Sequence, residues 1–111
     1  MEKELSPSQR LKRLERYVYN LKAARELNRL EDGARDSVIA LRTAVSAARV
    51  RIDDYYSAET TAEKAAALEQ GIEQLREAGK SILLVSQHEL VSPADVAQLS
   101  AMAEHIIDSL E

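Results

Sequence analysis

Between Ala34 and Tyr55 the apolar residues Ala34, Val38, Leu41, Val45, Ala48, Ile52 and Tyr55 recur at intervals of 4-3-4-3-4-3. That spacing is a helical repeat, held for three heptads, and it puts every one of these side chains on a single narrow face. A chain carrying such a seam must cover it with other helices, drawn from itself or from another copy. Strand structure has no use for this period. The rest of the composition agrees, with only 3 Gly, 2 Pro and no Cys, Trp or Phe in 111 residues. One domain spanning 1–111 is expected at this length, able to bury about two-thirds of its unfolded surface. The missing cysteine removes disulfides, thiolate zinc sites and thiol chemistry.

Three further helices flank the seam. Ser6 and Pro7 suit the start of a helix over 7–31, because a serine caps the first free amides and proline has no amide to lose there. Its stripe is Leu11, Leu14, Val18 and Leu21, but Arg25 and Asn28 take the next positions while Ala24, Leu27 and Leu30 drift round the helix. A bend or a change of packing partner near residue 22 follows. Asp32-Gly33 reads as the break before the seam helix, 34–57, which Asp32 or Asp36 would cap. Thr60-Thr-Ala-Glu63 has the form of a capping box opening a helix over 61–90, with the stripe Ala65, Leu68, Ile72, Leu75, Gly79 and Ile82. Gly71 suggests a close helix approach and Gly79 a break. Ser81–Ser86 has strand-like composition, yet a lone strand has nothing to pair with, so helix is expected to about Leu90. Ser92-Pro-Ala-Asp95 starts the last helix, 93–110, with Val96, Leu99, Ala103, Ile106 and Leu110 on one face and Met102 and Ile107 widening it. The expected fold is all-α: an antiparallel four-helix bundle or paired helical hairpins with coiled-coil-like seams, residues 1–6 forming a loose tail.

Chemistry is hard to place on this chain. His88-Glu-Leu-Val-Ser92 begins like a zinc-protease helix, but Ser92 stands where the second histidine ligand is needed. His105 has Asp108 one turn on, a surface pair as readily as an oriented imidazole. Asp53 and Asp54 are adjacent, so their carboxylates diverge by about 100° and cannot share a proton or a metal. Tyr55 falls on the seam and Tyr56 off it. Glu73 and Glu77, with Arg76 and Lys80, read as a solvated charged face. No glycine-rich phosphate loop or nucleophile elbow is present. The chain is therefore expected not to be an enzyme: no catalytic residues, no metal, no cofactor and no small-molecule substrate. The first ten residues lack the apolar core of a signal peptide, and Ile82–Val85 is the longest run of large apolar residues, so a cytoplasmic protein without membrane association is expected.

The net charge of −4 conceals a division. Residues 10–51 hold eleven basic and five acidic groups, a net +6; residues 53–111 hold three basic and twelve acidic groups, a net −9. The halves can flank a shared core and set its register, can meet between chains, or can leave the first half free for an acidic partner. A helix-turn-helix reading of 90–110 fails because that last helix carries Asp95, Glu104, Asp108 and Glu111 and no basic residue. The expected function is a non-enzymatic protein–protein interaction module, a small helical adaptor, chaperone, inhibitor or regulator, self-associating or bound to a larger protein. Arg16, Tyr17, Tyr19, Arg25 and Leu27 are the candidate contact residues, since Tyr and Arg dominate interface energetics. Val38, Leu41, Val45, Ala48, Ile52 and Tyr55 form either the core or an oligomer seam. The alternative is a nucleic-acid-associated regulator using Lys12, Arg13, Arg16, Lys22, Arg25 and Arg29, although aromatic stacking platforms are missing.

Overall fold

The structure, a computed structural model, describes residues 5–111. In chain order it forms α1 (Pro7–Asn20), α2 (Lys22–Arg25), a 3-10 turn (Leu27–Arg29), α3 (Asp32–Ser57), α4 (Thr61–Gln87) and α5 (Pro93–Leu110), with no strand among the described residues. Among the described residues no helix is long and apolar enough to cross a membrane.

Helix starts follow the local chemistry. The Ser6 hydroxyl accepts from the Gln9 amide at 3.2 Å and the Gln9 side chain accepts from the Ser6 amide at 3.0 Å, closing a reciprocal cap ahead of Pro7. Ser6 is thus engaged and Leu5 is half-buried, so the tail expected over 1–6 does not include them; residues 1–4 lie outside the described residues. Thr60 caps the Glu63 amide at 3.1 Å, but Glu63 reaches back to the amide of Glu59 rather than to that of Thr60, so the expected box is half formed. Ser92 caps Asp95 with Pro93 in the first turn.

Three expectations on helix limits are corrected. The helix placed over 7–31 divides at Leu21, which is extended (φ −61°, ψ 142°), and again at Glu26 and Leu30. A straight helix would carry Ala24, Leu27 and Leu30 off the Leu11–Val18 stripe into solvent. The break instead buries Leu21 and Ala23 and packs the other three against the core. Asp32-Gly33 is not a break: both lie in the first turn of α3, and the chain turns at Leu30–Glu31, where the Arg35 guanidinium donates to the Leu30 carbonyl at 2.9 Å. Glu31 caps α3 with no side-chain bond, so neither Asp32 nor Asp36 fills that role. The helix placed over 61–90 stops at Gln87. Glu89 takes the left-handed conformation (φ 56°), and Leu90 and Glu89 donate to the carbonyls of Val85 and Ser86, a Schellman closure with a non-glycine at its turning point. Gly79 causes no interruption.

Side-chain pairs give the directions. Ser8–Asp53, Glu15–Arg49 and Tyr19–Ser46 set α1 antiparallel to α3. Gly71 beside Ile52 and Gly33 beside His88 do the same for α3 and α4, and Arg76–Glu111 for α4 and α5. α1 also packs on α5, while α3 and α4 make the most extensive pairing.

The core takes Leu11, Leu14 and Val18 from α1, Val38, Leu41, Val45, Ala48 and Ile52 from α3, Leu75, Ala78, Ile82 and Val85 from α4, and Leu99, Ala103 and Ile106 from α5. The seam of α3 is therefore covered within one chain between Val38 and Ile52, whereas Ala34 and Tyr55 at its ends are only half-buried. On α4 the expected stripe is corrected. Ala65 is exposed, and the buried face runs Ala67, Gly71, Leu75, Ala78, Ile82, Val85 at 4-4-3-4-3, the repeat of a straight helix rather than of a supercoiled one.

Candidate protein-docking surface

The α1–α3 edge carries a connected cluster of polar side chains. Glu15 of α1 sits between two α3 groups, accepting from Arg49 Nε at 3.0 Å and from Ser46 Oγ at 2.8 Å. Arg49 also meets Asp53 at 3.3 Å, and Ser8 donates to the same carboxylate at 2.9 Å. The Glu15 carboxylate, with help from Asp53, raises the Arg49 pKa further above its ordinary value. Arg49 is thus paired with two carboxylates.

Beside this cluster lies an open groove between Tyr19 and the outer side of α3. Ile39, Thr43, Ser46, Ala47 and Val50 form its floor and far wall. It adjoins a second depression that Tyr19 shares with Lys12, Glu15, Arg16 and Arg49. The Arg42 guanidinium stacks over the Tyr19 ring at 4.4 Å from the centroid, a cation–π contact. Its Nε is buried without a hydrogen-bond partner and, among the described residues, Arg42 makes no ion pair.

The five residues expected to form one contact surface do not share one. Tyr19 and Arg16 line the α1–α3 groove. Tyr17, two residues away, points about 200° round the helix. Its hydroxyl donates to Asp95 of α5, pinning α1 to the start of α5. Leu27 is half-buried against the core, and Arg25 is exposed at the end of α2. Ile39, Arg42, Ser46 and Val50 escaped the sequence reading. Their signal was a second, uncharged stripe, Ile39, Thr43, Ser46/Ala47 and Val50, behind the seam of α3. Of the basic residues, Lys12, Arg13 and Arg16 are exposed on α1, Lys22 and Arg25 on α2 beyond the break, and Arg29 on the 3-10 turn, 3.7 Å from Glu26. His88 and His105 are both exposed, and among the described residues no three His, Asp or Glu side chains converge.

The Tyr17–Asp95 bond makes a testable contribution. Accepting the phenolic proton, the Asp95 carboxylate raises the Tyr17 pKa above its ordinary value of 10.0, and partial burial adds to this. Stability from the bond is therefore fully present below about pH 10 and is lost as pH rises through the elevated folded-state pKa. Tyr17→Phe should cost about 1 kcal/mol at neutral pH. Urea titrations of both proteins should begin to approach each other at about pH 10 and converge as pH passes the raised folded-state pKa; a gap that stays constant throughout would exclude this bond as its source.

Ion pairs among the described residues never join α1–α3 to α4–α5. Arg29–Glu26, Arg35–Asp32, Arg49–Glu15, Arg49–Asp53 and Arg51–Asp54 lie within the first group, and Arg76–Glu111 and Lys80–Glu77 within the second. Among the described residues no ion pair between these two groups of helices takes part in setting the register of the core. Residues 7–57 hold eleven basic and seven acidic groups, residues 58–111 three basic and ten acidic groups, and each excess faces outward. Comparison with protein-family models, with curated proteins and with solved structures finds no match.

Proposed function

We propose that the chain is a non-enzymatic protein–protein interaction module, a small helical adaptor, chaperone, inhibitor or regulator of the cytoplasm, built on an antiparallel four-helix bundle. The observation that carries this reading is the charge division, which no ion pair between α1–α3 and α4–α5 offsets among the described residues, together with the exposed apolar side chains on the basic half. Charge of one sign on a face speeds and selects encounter with a partner of the other sign, and apolar and aromatic groups within that face supply the affinity. Capture from a host lysate on the immobilised protein should retain a protein at near-stoichiometric level at about 50 mM salt and release it by about 300 mM. Lys12→Glu with Arg16→Glu should lower the yield. Retention of nothing above a resin control would overturn the reading.

A nucleic-acid role is the second reading, favoured by the exposure of Lys12, Arg13 and Arg16 together on α1. The break at Leu21 works against it, since these three and Lys22, Arg25 and Arg29 do not share one helix. Gel shifts decide: a band shift at about 50 mM salt that fades by about 200 mM supports nucleic acid. No shift at the lower salt removes it.

A further inference from the structure

Resting on the interaction-module reading, we propose that the groove between α1 and α3 receives an amphipathic helix with acidic flanks, contributed by a partner protein.

The floor is of the right kind. From Ile39 to Val50 the outer side of α3 offers Ile39, Thr43, Ser46, Ala47 and Val50, three turns without a charge, about 16 Å long. The small residues lie in the middle, where a second helix comes closest. The large ones stand at the ends, Ile39 43% and Val50 46% exposed, with Tyr19 (41% exposed) as the side wall. A helix laid in such a groove reads as apolar anchors at i, i+3/i+4 and i+7. The groove is too short for a broad surface-to-surface contact, which needs about 800 Å² from each partner.

The rim sets the sign of the flanks. Lys12, Arg16 and Arg42 border the groove and make no ion pair among the described residues. The carboxylate lining the adjoining depression, Glu15, is already held by Arg49 and Ser46. An incoming carboxylate near Arg42 would meet a guanidinium that Tyr19 already holds in place. An incoming lysine would face like charge.

A second copy fits less well. Two α3 stripes meeting about a two-fold axis would bring the unpaired Arg42 guanidinium of each chain towards that of the other, at an electrostatic cost. The exposed leucines Leu83 and Leu84 on α4 lie near Glu77, which Lys80 already pairs at 3.0 Å, so in another copy they would bring the basic rim no free carboxylate from that residue.

The probe is a fluorescein-labelled peptide of about 18 residues, with leucines at helical spacing and glutamates on both flanks. Its twin carries lysines in place of the glutamates. By anisotropy, the acidic peptide should bind with a Kd of about 10–100 μM at about 50 mM salt, the lysine twin should not bind, and about 300 mM salt should weaken binding several-fold. Arg42→Glu at a half-buried position and Val50→Glu at an exposed one, both checked for helicity, should each weaken binding at least tenfold. No binding of the acidic peptide at about 1 mM, equal binding of both peptides, or unchanged binding by both variants would each overturn the proposal. Sedimentation velocity of the protein alone gives the remaining outcome. Self-association abolished by either Val50→Glu or Leu84→Glu would assign the groove to a second copy and overturn the proposal as well. A host partner captured equally by wild type and Val50→Glu would sink the groove and leave the interaction module standing.

Discussion

Val45→Asp should abolish cooperative folding. Val45 is fully buried at the middle of α3, inside a core drawn from α1, α3, α4 and α5. A carboxylate there has no cation or hydrogen-bond donor to meet, so it stays charged at great cost or takes up a proton and still loses its hydrogen bonds to water. The penalty of several kcal/mol is comparable to the whole stability of a domain this size, about 5–15 kcal/mol. Circular dichroism should show lost helicity and no sigmoidal melt. Leu41→Ala, at an equally buried position, should instead cost about 2–5 kcal/mol and leave a folded protein that melts earlier. Val50→Asp, on the outer side of the same helix, should change stability by less than about 0.5 kcal/mol. This series also separates the two uses of the seam. If α3 faced another chain, Val45→Asp would yield a folded monomer; with the seam inside one chain, it yields an unfolded one at every concentration.

The second large effect belongs to Gly71. A Cβ added there would lie 2.6 Å from Ile52 Cδ1, 3.2 Å from Ile52 Cγ1 and 3.6 Å from Arg51 Cβ. Ile52 is fully buried, so either its side chain must rotate among packed neighbours or α3 and α4 must separate. Gly71→Ala gains about 1 kcal/mol of helix propensity and loses about 1–3 kcal/mol to overpacking. Gly71→Leu should lose more than the upper end of that overpacking range. Shortening the neighbour tests the cause. Ile52→Val removes the Cδ1 atom, so Gly71→Ala should be tolerated better in that background, with a coupling of about 1 kcal/mol in the double-mutant cycle. The 3.2 Å contact to Cγ1 keeps the relief incomplete. Gly79→Ala is the control: nothing lies within 4 Å of its added Cβ, so it should stabilise by up to about 1 kcal/mol. Equal effects at the two glycines in denaturant titrations would disprove the contact explanation.

Gly71 and Gly79 show where sequence reading stops. Both interrupt a helical pattern and carry the same intrinsic penalty, and nothing local distinguishes a close approach from a tolerated gap. The distinction depends on Ile52, nineteen residues earlier, and on the register that brings it opposite Gly71. The Leu21 break was legible in kind, because the stripe fails at Arg25. Its consequence for the candidate surface was not. Tyr17 and Tyr19 look equivalent in sequence, yet one is tied to Asp95 across the fold and the other is left in an open groove.

Helical class, the capped starts at Ser6, Thr60 and Ser92, and the heart of the α3 seam follow from residue order, because hydrogen-bonded caps and a helical apolar period act over one to three turns. The division of charge along the chain is equally plain in the residues. Tertiary structure alone decided that the seam is covered from within, that no ion pair among the described residues joins α1–α3 to α4–α5, and that an uncharged outer stripe of α3 stands open beside Tyr19 and Arg42. These depend on which helices become neighbours and at what register. That choice is made by side chains far apart in sequence packing into one volume, and no local period encodes it.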